Sequence, residues 1–302
     1  MNRFSRRSLL KSLAVTPLVL GSGSQAFCAI DPIARKRPGH LKLSLAAYSL
    51  RQLLDFKDPK MDMFGFVDFA ADQGLDAVEP TSYWFPPDAD DSYFRKLQQY
   101  AFLAGLDISG TAIGNDFCVP EGPKRDLELA KARAWIDKAS VLGAPVIRIF
   151  AGNVPSGEAE PAAAQRVVSA IEELLPYAVS KGVTLALENH GGITDTPEQL
   201  LRLVRAVKAP QGGFGVNLDT GNFHGVDPYA DLTQLAPYAV NVQVKTEIST
   251  RGQAKHDADL TRFISILKDA RYSGYVVLEY EAADDPLTAV PKALKQLRKL
   301  IQ

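Results

Sequence analysis

Short apolar segments alternate with longer amphipathic segments along most of the chain, and glycine marks the joints between them. Stretches such as "VSKGVTLALEN" and "YSGYVVLEY" show a helical ending, a glycine and then an apolar run typical of a strand. Glycines at six such joints are Gly74, Gly105, Gly143, Gly182, Gly213 and Gly274. Their separations are 31, 38, 39, 31 and 61 residues, and the last interval contains another strand-like segment, "YAVNVQVKTE".

Together with "LSLAAYSL", these segments predict eight strands, at residues 43–49, 75–79, 107–113, 145–150, 183–188, 214–219, 240–246 and 275–280. Apolar residues recur at intervals of three and four between the strands, as in "KRDLELAKARAWIDKASVLG", which predicts helices. Eight βα units in about 260 residues predict an α/β fold, a single-domain (β/α)8 TIM barrel over residues 40–302. A doubly wound open sheet is the alternative, although no G-x-G-x-x-G follows a predicted strand.

The first thirty residues are typical of a targeting segment rather than of part of the fold. Arg6 and Arg7 precede an apolar run from Leu13 to Leu20, and small residues follow it. This pattern resembles a twin-arginine signal peptide over residues 1–30 and predicts a periplasmic, exported protein. The apolar run is short for a transmembrane helix, so no membrane association is expected once the signal is removed. An uncleaved anchor is the alternative.

Composition narrows the class of protein without naming a function. The 302 residues are 46% hydrophobic, and 34 basic against 35 acidic residues give a net charge of −1. That balance provides no broad electrostatic surface for nucleic acid, so no nucleic-acid partner is expected. The two cysteines, Cys28 and Cys118, are too few for a disulfide framework or a thiolate metal site. A homo-oligomer is compatible with the sequence, which leaves the oligomeric state open.

Polar residues are concentrated where the predicted strands end. In a parallel barrel the carboxyl ends of all strands converge on one mouth, so these side chains are expected to meet there. In chain order they are Glu79, Arg148, Glu188, Asn189, His190, Asp219, Asn222, His224, Gln243, Lys245, Glu247, Glu279 and Glu281.

Three carboxylates in this set suggest a cation. Glu188, Asp219 and Glu279, if held within a few ångströms, would repel one another and raise each other's pKa unless a positive charge lay between them. Oxygen-rich ligation suits Mn²⁺, Mg²⁺ or Co²⁺ and suits Zn²⁺ less. The sequence therefore predicts a divalent metal cofactor at the mouth.

The segments "VTLALEN", "GVNLDTGN", "NVQVK" and "GYVVLEY" resemble the fifth to eighth strands of the xylose-isomerase-like barrel superfamily of sugar isomerases and epimerases. The resemblance covers almost the whole chain after the leader. In that superfamily glutamate, aspartate, histidine and glutamate hold a metal, which implies Glu188, Asp219, Gln243 and Glu279 as ligands here. Gln243 stands where histidine is usual; an amide oxygen favours harder cations, or the site has lost its metal. A DNA-repair endonuclease branch needs more histidines than the four in this chain.

The resemblance also implies a reaction, namely removal of a proton from the carbon next to a carbonyl through an enediolate. It assigns the base role to Glu188 and Glu279. His190 is a further candidate base, because it points to the same side of an extended strand as Glu188 and imidazole titrates near neutral pH. The Glu-x-His pair resembles relatives that act on 3-keto-glycosides, where the aglycone is eliminated.

A carbohydrate substrate is expected to contact a further group of residues at the mouth: Glu79, Trp84, Arg148, Asn222, His224 and Lys245. Trp84 is suited to stacking on a sugar ring and equally to packing over a barrel rim. Lys245 and Arg148 are suited to binding hydroxyls and equally to internal ion pairs that neutralise carboxylates. Three alternatives to an isomerase or epimerase stay open: a 3-keto-glycoside lyase, a hydrolase with a metal-activated water, and a non-catalytic sugar-binding barrel.

Overall fold

The structure is a computed structural model that describes residues 30–55 and 58–302. The predicted signal peptide lies, apart from Ile30, outside the described residues, so that assignment stays a prediction. In the described part of the chain, no helix is both long and apolar enough to span a bilayer.

Strands and helices alternate along the described chain. The strands are β1 (Leu41–Ala46), β2 (Ala77–Glu79), β3 (Asp107–Ile108), β4 (Thr111–Ala112), β5 (Val146–Ile149), β6 (Thr184–Glu188), β7 (Phe214–Asp219), β8 (Ala239–Val244), β9 (Glu247–Ile248), β10 (His256–Asp257) and β11 (Gly274–Leu278). The helices are α1 (Met63–Asp72), α2 (Asp91–Leu103), α3 (Pro123–Leu142), α4 (Glu160–Ser180), α5 (Pro197–Ala206), α6 (Pro228–Leu235), α7 (Leu260–Asp269) and α8 (Pro286–Ile301).

Nine of these strands form one parallel sheet in the order β3-β2-β1-β11-β8-β7-β6-β5-β4. The first strand, β1, therefore pairs with the last strand of that sheet, β11, with Leu41 opposite Gly274 and Leu45 opposite Leu278. In the common doubly wound orders the first strand does not neighbour the last. The fold is thus α/β and TIM-barrel-like, with eight helices among the described residues following the strands.

The outer strands of that order, β3 and β4, are separated along the chain by Ser109 and Gly110 alone. The predicted strand 107–113 is therefore interrupted, because β3 pairs with β2 whereas β4 pairs with β5. Space is tight at the change of partner, since a Cβ on Gly110 would lie 2.8 Å from the Val146 side chain.

Most other predicted strands are confirmed to within a few residues, and β7 matches the predicted range 214–219. The predicted strand 43–49 is wrong at its end, where Ala47–Leu50 turn into a 3-10 helix. Ser49 explains the turn, since its hydroxyl donates to Leu278 O and accepts from the Tyr280 amide. The antiparallel pair of β9 and β10 was not predicted.

Helix α7 shows how the amphipathic segments build the outer layer. Asp259 accepts a hydrogen bond from the Arg262 amide, which satisfies one free donor at the helix start. Leu260, Phe263 and Leu267 are all at most 4% exposed and face the sheet at helical spacing. Burying each such side chain stabilises the fold by about 1.5–3 kcal/mol.

Candidate active site

Strands β7 and β8 carry polar side chains at alternate positions. Asn217 lies opposite Asn241 in the register, and Asp219 lies opposite Gln243. Because side chains on a strand alternate with period two, all four face one side of the sheet. They are at most 2% exposed, so their polar atoms need partners inside the protein.

A buried amide network provides those partners below the mouth. Glu79, which is 0% exposed, accepts hydrogen bonds from Asn241 and Gln243. Asn217 Nδ2 donates to Gln243 Oε1 at 2.7 Å and to Glu188 Oε2 at 3.1 Å. Both ends of the Gln243 amide are therefore engaged within the protein. Burial raises the pKa of Glu79, against the effect of these hydrogen bonds and of the Arg148 charge.

Glu188 is held by an arginine and an asparagine. Arg148 Nε lies 3.0 Å from Glu188 Oε2, and both side chains are at most 4% exposed. Asn222 Nδ2 donates to the other carboxylate oxygen at 3.0 Å. Burial raises the pKa of Glu188 to about 8, and the Arg148 guanidinium opposes that rise. Each oxygen of Glu188 thus already faces a donor from the protein.

The mouth itself is centred on Lys245, directly after β8. Its Nζ lies 3.1 Å from Asp219 Oδ2, 3.2 Å from Glu281 Oε2 and 3.6 Å from Glu279 Oε2. It also donates to Asn222 Oδ1 at 3.0 Å. Burial acts to lower the pKa of Lys245, but the surrounding carboxylates outweigh burial and raise it. The Lys245 ammonium group therefore lies between carboxylates from two strand ends, Asp219 at the end of β7 and Glu279 and Glu281 after β11.

The predicted metal ligands do not fit a divalent ion in this arrangement. Gln243 is hydrogen-bonded at both ends of its amide, Glu188 faces a guanidinium, and Asp219 and Glu279 face the Lys245 ammonium. Across the described residues, no group of three or more His, Cys, Asp or Glu side chains is placed to hold a metal. The metal cofactor stays a prediction that this donor set does not support.

Two titratable side chains flank Lys245. Glu279 directly follows β11 and His190 follows β6 after one intervening residue, and in the sheet β8 and β7 lie between those two strands. Burial raises the pKa of Glu279 well above its ordinary value. Partial burial and the charges of Arg148 and Lys245 lower the pKa of His190, so its imidazole is neutral at pH 7. Titratable side chains thus follow strands on both sides of β8, and Lys245 lies directly after β8.

The His190 side chain is covered on one side and reaches solvent on the other, and two contacts hold the residue at the mouth. Its ring lies against Phe150, with the ring centroids 4.1 Å apart. Its backbone amide donates to Thr194 Oγ1 at 3.0 Å. A cavity of about 160 Å3 adjoins the ring and is lined by residues after β4, β5 and β6, including Asn115 and Asn153.

The segment "ENHGG" after β6 joins that strand to its neighbours. Asn189 Oδ1 accepts from the Asp219 amide at 2.9 Å and its Nδ2 donates to the Asp219 carbonyl at 2.8 Å, which ties the ends of β6 and β7 together. Gly191 and Gly192 then turn with φ of +64° and +55°. A Cβ on Gly192 would lie 2.4 Å from Gly152 O, whereas a Cβ on Gly191 would meet nothing within 4 Å.

Replacing each of these two glycines with alanine distinguishes the energetic cost of a left-handed backbone, expected at both positions, from the cost of a steric clash, expected at Gly192 alone. Gly191→Ala should lower the free energy of unfolding by about 1–2 kcal/mol, the cost of a left-handed alanine. Gly192→Ala should lower it by more, because the loop that holds His190 must move away from Gly152. Urea unfolding of both variants tests this; equal losses of stability at the two positions would contradict the close approach.

The other predicted substrate contacts are spread around the mouth. Trp84 is half-buried and lies edge-on to Tyr48 and Tyr83, with ring centroids 5.6 and 5.5 Å apart. Arg148 Nη2 is 3.5 Å from the Tyr83 hydroxyl, which connects this aromatic cluster to the interior. His224 is exposed in the loop after β7. Glu79 lies beneath the mouth in the buried network, where it supports other side chains.

Several residues of the site were not singled out by the sequence analysis: Tyr48, Phe150, Asn217 and Asn241. The two asparagines could have been found from the sequence. They lie two residues before Asp219 and Gln243, and side chains two residues apart on a strand share one face of the sheet. The sequence alone places Glu281 at a strand end and assigns it no role. The structure places its carboxylate at the Lys245 ammonium, two residues beyond Glu279.

The fold and the site define a TIM-barrel-like protein with a charged mouth at the carboxyl ends of its strands. A family model described as "Xylose isomerase-like TIM barrel" matches residues 67–300, and the chain belongs to this family. This confirms the resemblance recognised in the sequence.

Individual relatives are more distant. A Mus musculus protein named "Putative hydroxypyruvate isomerase" is 28% identical over 167 residues, covering 49% of this chain and 57% of the relative, so the match spans little more than half the relative's length. The structure of D-psicose 3-epimerase with D-tagatose from Clostridium cellulolyticum H10 is similar with a TM-score of 0.71 and 16% identity, over 86% of this chain and 99% of that one. A 3-keto-D-glucoside 4-epimerase from E. coli has a TM-score of 0.63 and 16% identity, over the same shares of 86% and 99%. At these identities the structural likeness concerns the fold.

Proposed function

We propose that this protein is a carbohydrate isomerase or epimerase that removes a proton from the carbon next to a carbonyl. The observation that carries the proposal is the Lys245 ammonium at the mouth with Glu279 and His190 on either side. Membership of the family and the epimerase names of two similar structures support it. The proposal includes a complete single-domain barrel in which β3 and β4 are two halves of one strand.

In this mechanism Lys245 stabilises the charge that develops on the substrate. Removal of the proton leaves negative charge on the former carbonyl oxygen, and a fixed hydrogen-bond donor stabilises it most in a partly buried site. Glu281 is the most exposed carboxylate around the ammonium, with 26% of its side chain accessible. A substrate oxygen is therefore proposed to displace Glu281 from Lys245.

Proton transfer is assigned to His190 and Glu279. Two groups on opposite sides of a carbon allow removal from one face and return to the other, which is epimerisation; a single group that returns the proton to the adjacent carbon gives isomerisation. Glu188 was predicted as a base. Because its oxygens face Arg148, Asn217 and Asn222, we instead propose that it positions those three side chains.

The sugar itself is proposed to bind between the aromatic cluster and the charged centre. Trp84 and Tyr48 offer ring faces of the kind that pack against a pyranose. Arg148, Asn222 and His224 remain proposed contacts for hydroxyl groups. The proposed export through the twin-arginine route would favour an unphosphorylated sugar, and the oligomeric state stays open. No step of the mechanism depends on the predicted divalent metal, because the donor set does not fit one.

The direct test is solvent exchange. The protein is incubated in deuterium oxide with keto sugars and, separately, with 3-keto-glycosides, and deuterium next to the carbonyl is followed by nuclear magnetic resonance. Incorporation together with a new isomer or epimer is the expected result. An unsaturated sugar and free aglycone would instead indicate the lyase alternative. Release of an aglycone with solvent oxygen and no exchange would indicate hydrolysis.

A non-catalytic sugar-binding barrel is a second candidate function. Two observations favour it. Both ends of the Gln243 amide are hydrogen-bonded within the protein, and the Lys245 ammonium is paired with a carboxylate, so few polar groups at the centre are free to bind a substrate. Sugar binding measured by calorimetry without any deuterium exchange would support this candidate and overturn the enzymatic proposal.

The pH dependence of exchange is expected to identify the base. Deprotonated imidazole is the active form, and its pKa is lowered from the ordinary value of about 6.5. The exchange rate should therefore stay high at neutral pH and fall on acidification, with a midpoint below 6.5. His190→Gln should remove this acid limb, and His256→Gln, a change in an exposed histidine, should leave it unchanged. A midpoint near 8 would point to Glu188 instead.

A further inference from the structure

We infer that the Lys245 ammonium is the resident cation of this site and takes the place that a divalent metal would have among the carboxylates. The mouth then binds substrate oxygens through a protein side chain. The inference rests on the proposed function only for the identity of those oxygens. The position of the cation is inferred from the distances around the Lys245 ammonium alone.

The first argument is the position of the ammonium nitrogen. It lies between 3.1 and 3.6 Å from Asp219, Glu281 and Glu279, and it donates to Asn222. Asp219 is 0% exposed, and a buried carboxylate needs a compensating charge. Lys245 provides that charge from within the fold, since its own side chain is only 7% exposed.

A second argument comes from how Lys245 is held. Its backbone amide donates to Thr220 Oγ1 at 2.8 Å, and the Thr220 amide donates to the Gln243 carbonyl at 3.0 Å. A Cβ on Gly221 would lie 2.6 Å from the Lys245 side chain, so the chain after β7 packs tightly against it. The lysine is therefore a built part of the centre, unlike a surface side chain that could swing away.

The remaining predicted ligands are engaged independently of Lys245. Arg148 neutralises Glu188, and Gln243 bridges Asn217 and Glu79. A divalent ion would have to displace these partners and would also meet the positive charge of the ammonium at short range. Removing the ammonium, in contrast, would leave the Asp219, Glu279 and Glu281 oxygens without that charge.

Mn²⁺ is a suitable probe, because the paramagnetic resonance signal of the free ion reports binding without any substrate. The wild-type protein is expected to leave the free-ion signal unchanged. Lys245→Met is expected to remove about one equivalent of Mn²⁺ per chain from that signal, because the change frees the carboxylate oxygens of Asp219, Glu279 and Glu281, a ligand type that suits Mn²⁺. Lys255→Met, which removes an exposed lysine paired with Glu247, is the matched control and should not bind.

Gln243→His tests whether Lys245 or Gln243 prevents Mn²⁺ from binding. Imidazole is a common metal ligand, so this variant would bind Mn²⁺ if the glutamine alone excluded it. It is expected not to bind while Lys245 is present. If Lys245→Met does not fold, the wild-type and Gln243→His titrations still test whether Lys245 excludes Mn²⁺.

Three results would overturn the inference: wild-type binding of Mn²⁺ that Asp219→Asn abolishes, binding of Mn²⁺ by Gln243→His, or a folded Lys245→Met protein that leaves the signal of the free ion unchanged. Neither depends on catalysis. If deuterium exchange fails while the Mn²⁺ results hold, the proposed function is wrong and the assignment of the cation stands.

Discussion

Lys245→Met is expected to lower the free energy of unfolding by about 3–5 kcal/mol, the usual cost of removing one partner from a buried ion pair. Methionine keeps most of the side-chain length but leaves Asp219 buried without its cation, and it removes the charge beside Glu279 and Glu281. Turnover should be abolished in the same variant, since the donor for the developing oxyanion is gone. Urea unfolding at fixed pH measures the first effect and the exchange assay measures the second.

Lys255→Met is the comparison for that variant. Lys255 also pairs with a carboxylate, Glu247 at 3.3 Å, but 45% of its side chain is exposed. Exposed ion pairs stabilise proteins by about 0–1 kcal/mol, so this change should be nearly neutral. Similar losses in the two variants would mean that the burial of the Lys245 cluster has little energetic consequence.

Glu279→Gln is expected to reduce conversion between sugars by about 10²- to 10⁴-fold, the usual contribution of a positioned acid or base. The amide keeps the shape of the side chain but transfers no proton at neutral pH. Exchange should survive for the epimer whose proton faces His190, because that base is intact. Stability should change little, since the carboxylate lies 3.6 Å from Lys245, the longest of the ammonium's contacts with carboxylates.

Glu173→Gln is a suitable control for that experiment. Like Glu279, Glu173 faces positively charged side chains, because it accepts hydrogen bonds from Arg125 and Arg133. It lies on α4, away from the strand ends. The activity of the Glu173→Gln variant should match that of the unmodified protein. Full conversion by Glu279→Gln would remove this residue from the proposed mechanism.

Much of the architecture could be predicted from the sequence, because parallel strands and amphipathic helices have distinct hydrophobic periods. The gathering of strand ends was also predictable, since Glu188, Asp219, Lys245 and Glu279 end or follow neighbouring strands in the observed sheet. Family membership was recognisable from the strand motifs as well.

The pairing inside the site could not be predicted in the same way. Spacing shows that Gln243 and Lys245 share a face, but it does not show which side chain reaches the carboxylates. A lysine side chain is long enough to reach the cluster from the end of β8, while Gln243 instead bonds to Asn217 and Glu79. Such choices depend on distances between strands and on the hydrogen-bonding demand of buried amides.

The pairing of β1 with β11 has a consequence for the newly made chain. Residues 41–45 find their partners at 274–278, more than two hundred residues later, and Ser49 bonds to Leu278 and Tyr280. One edge of β1 therefore stays open during synthesis until residues 274–278 have left the ribosome. Open strand edges invite mispairing, so slow folding and a need for chaperones are expected of this topology.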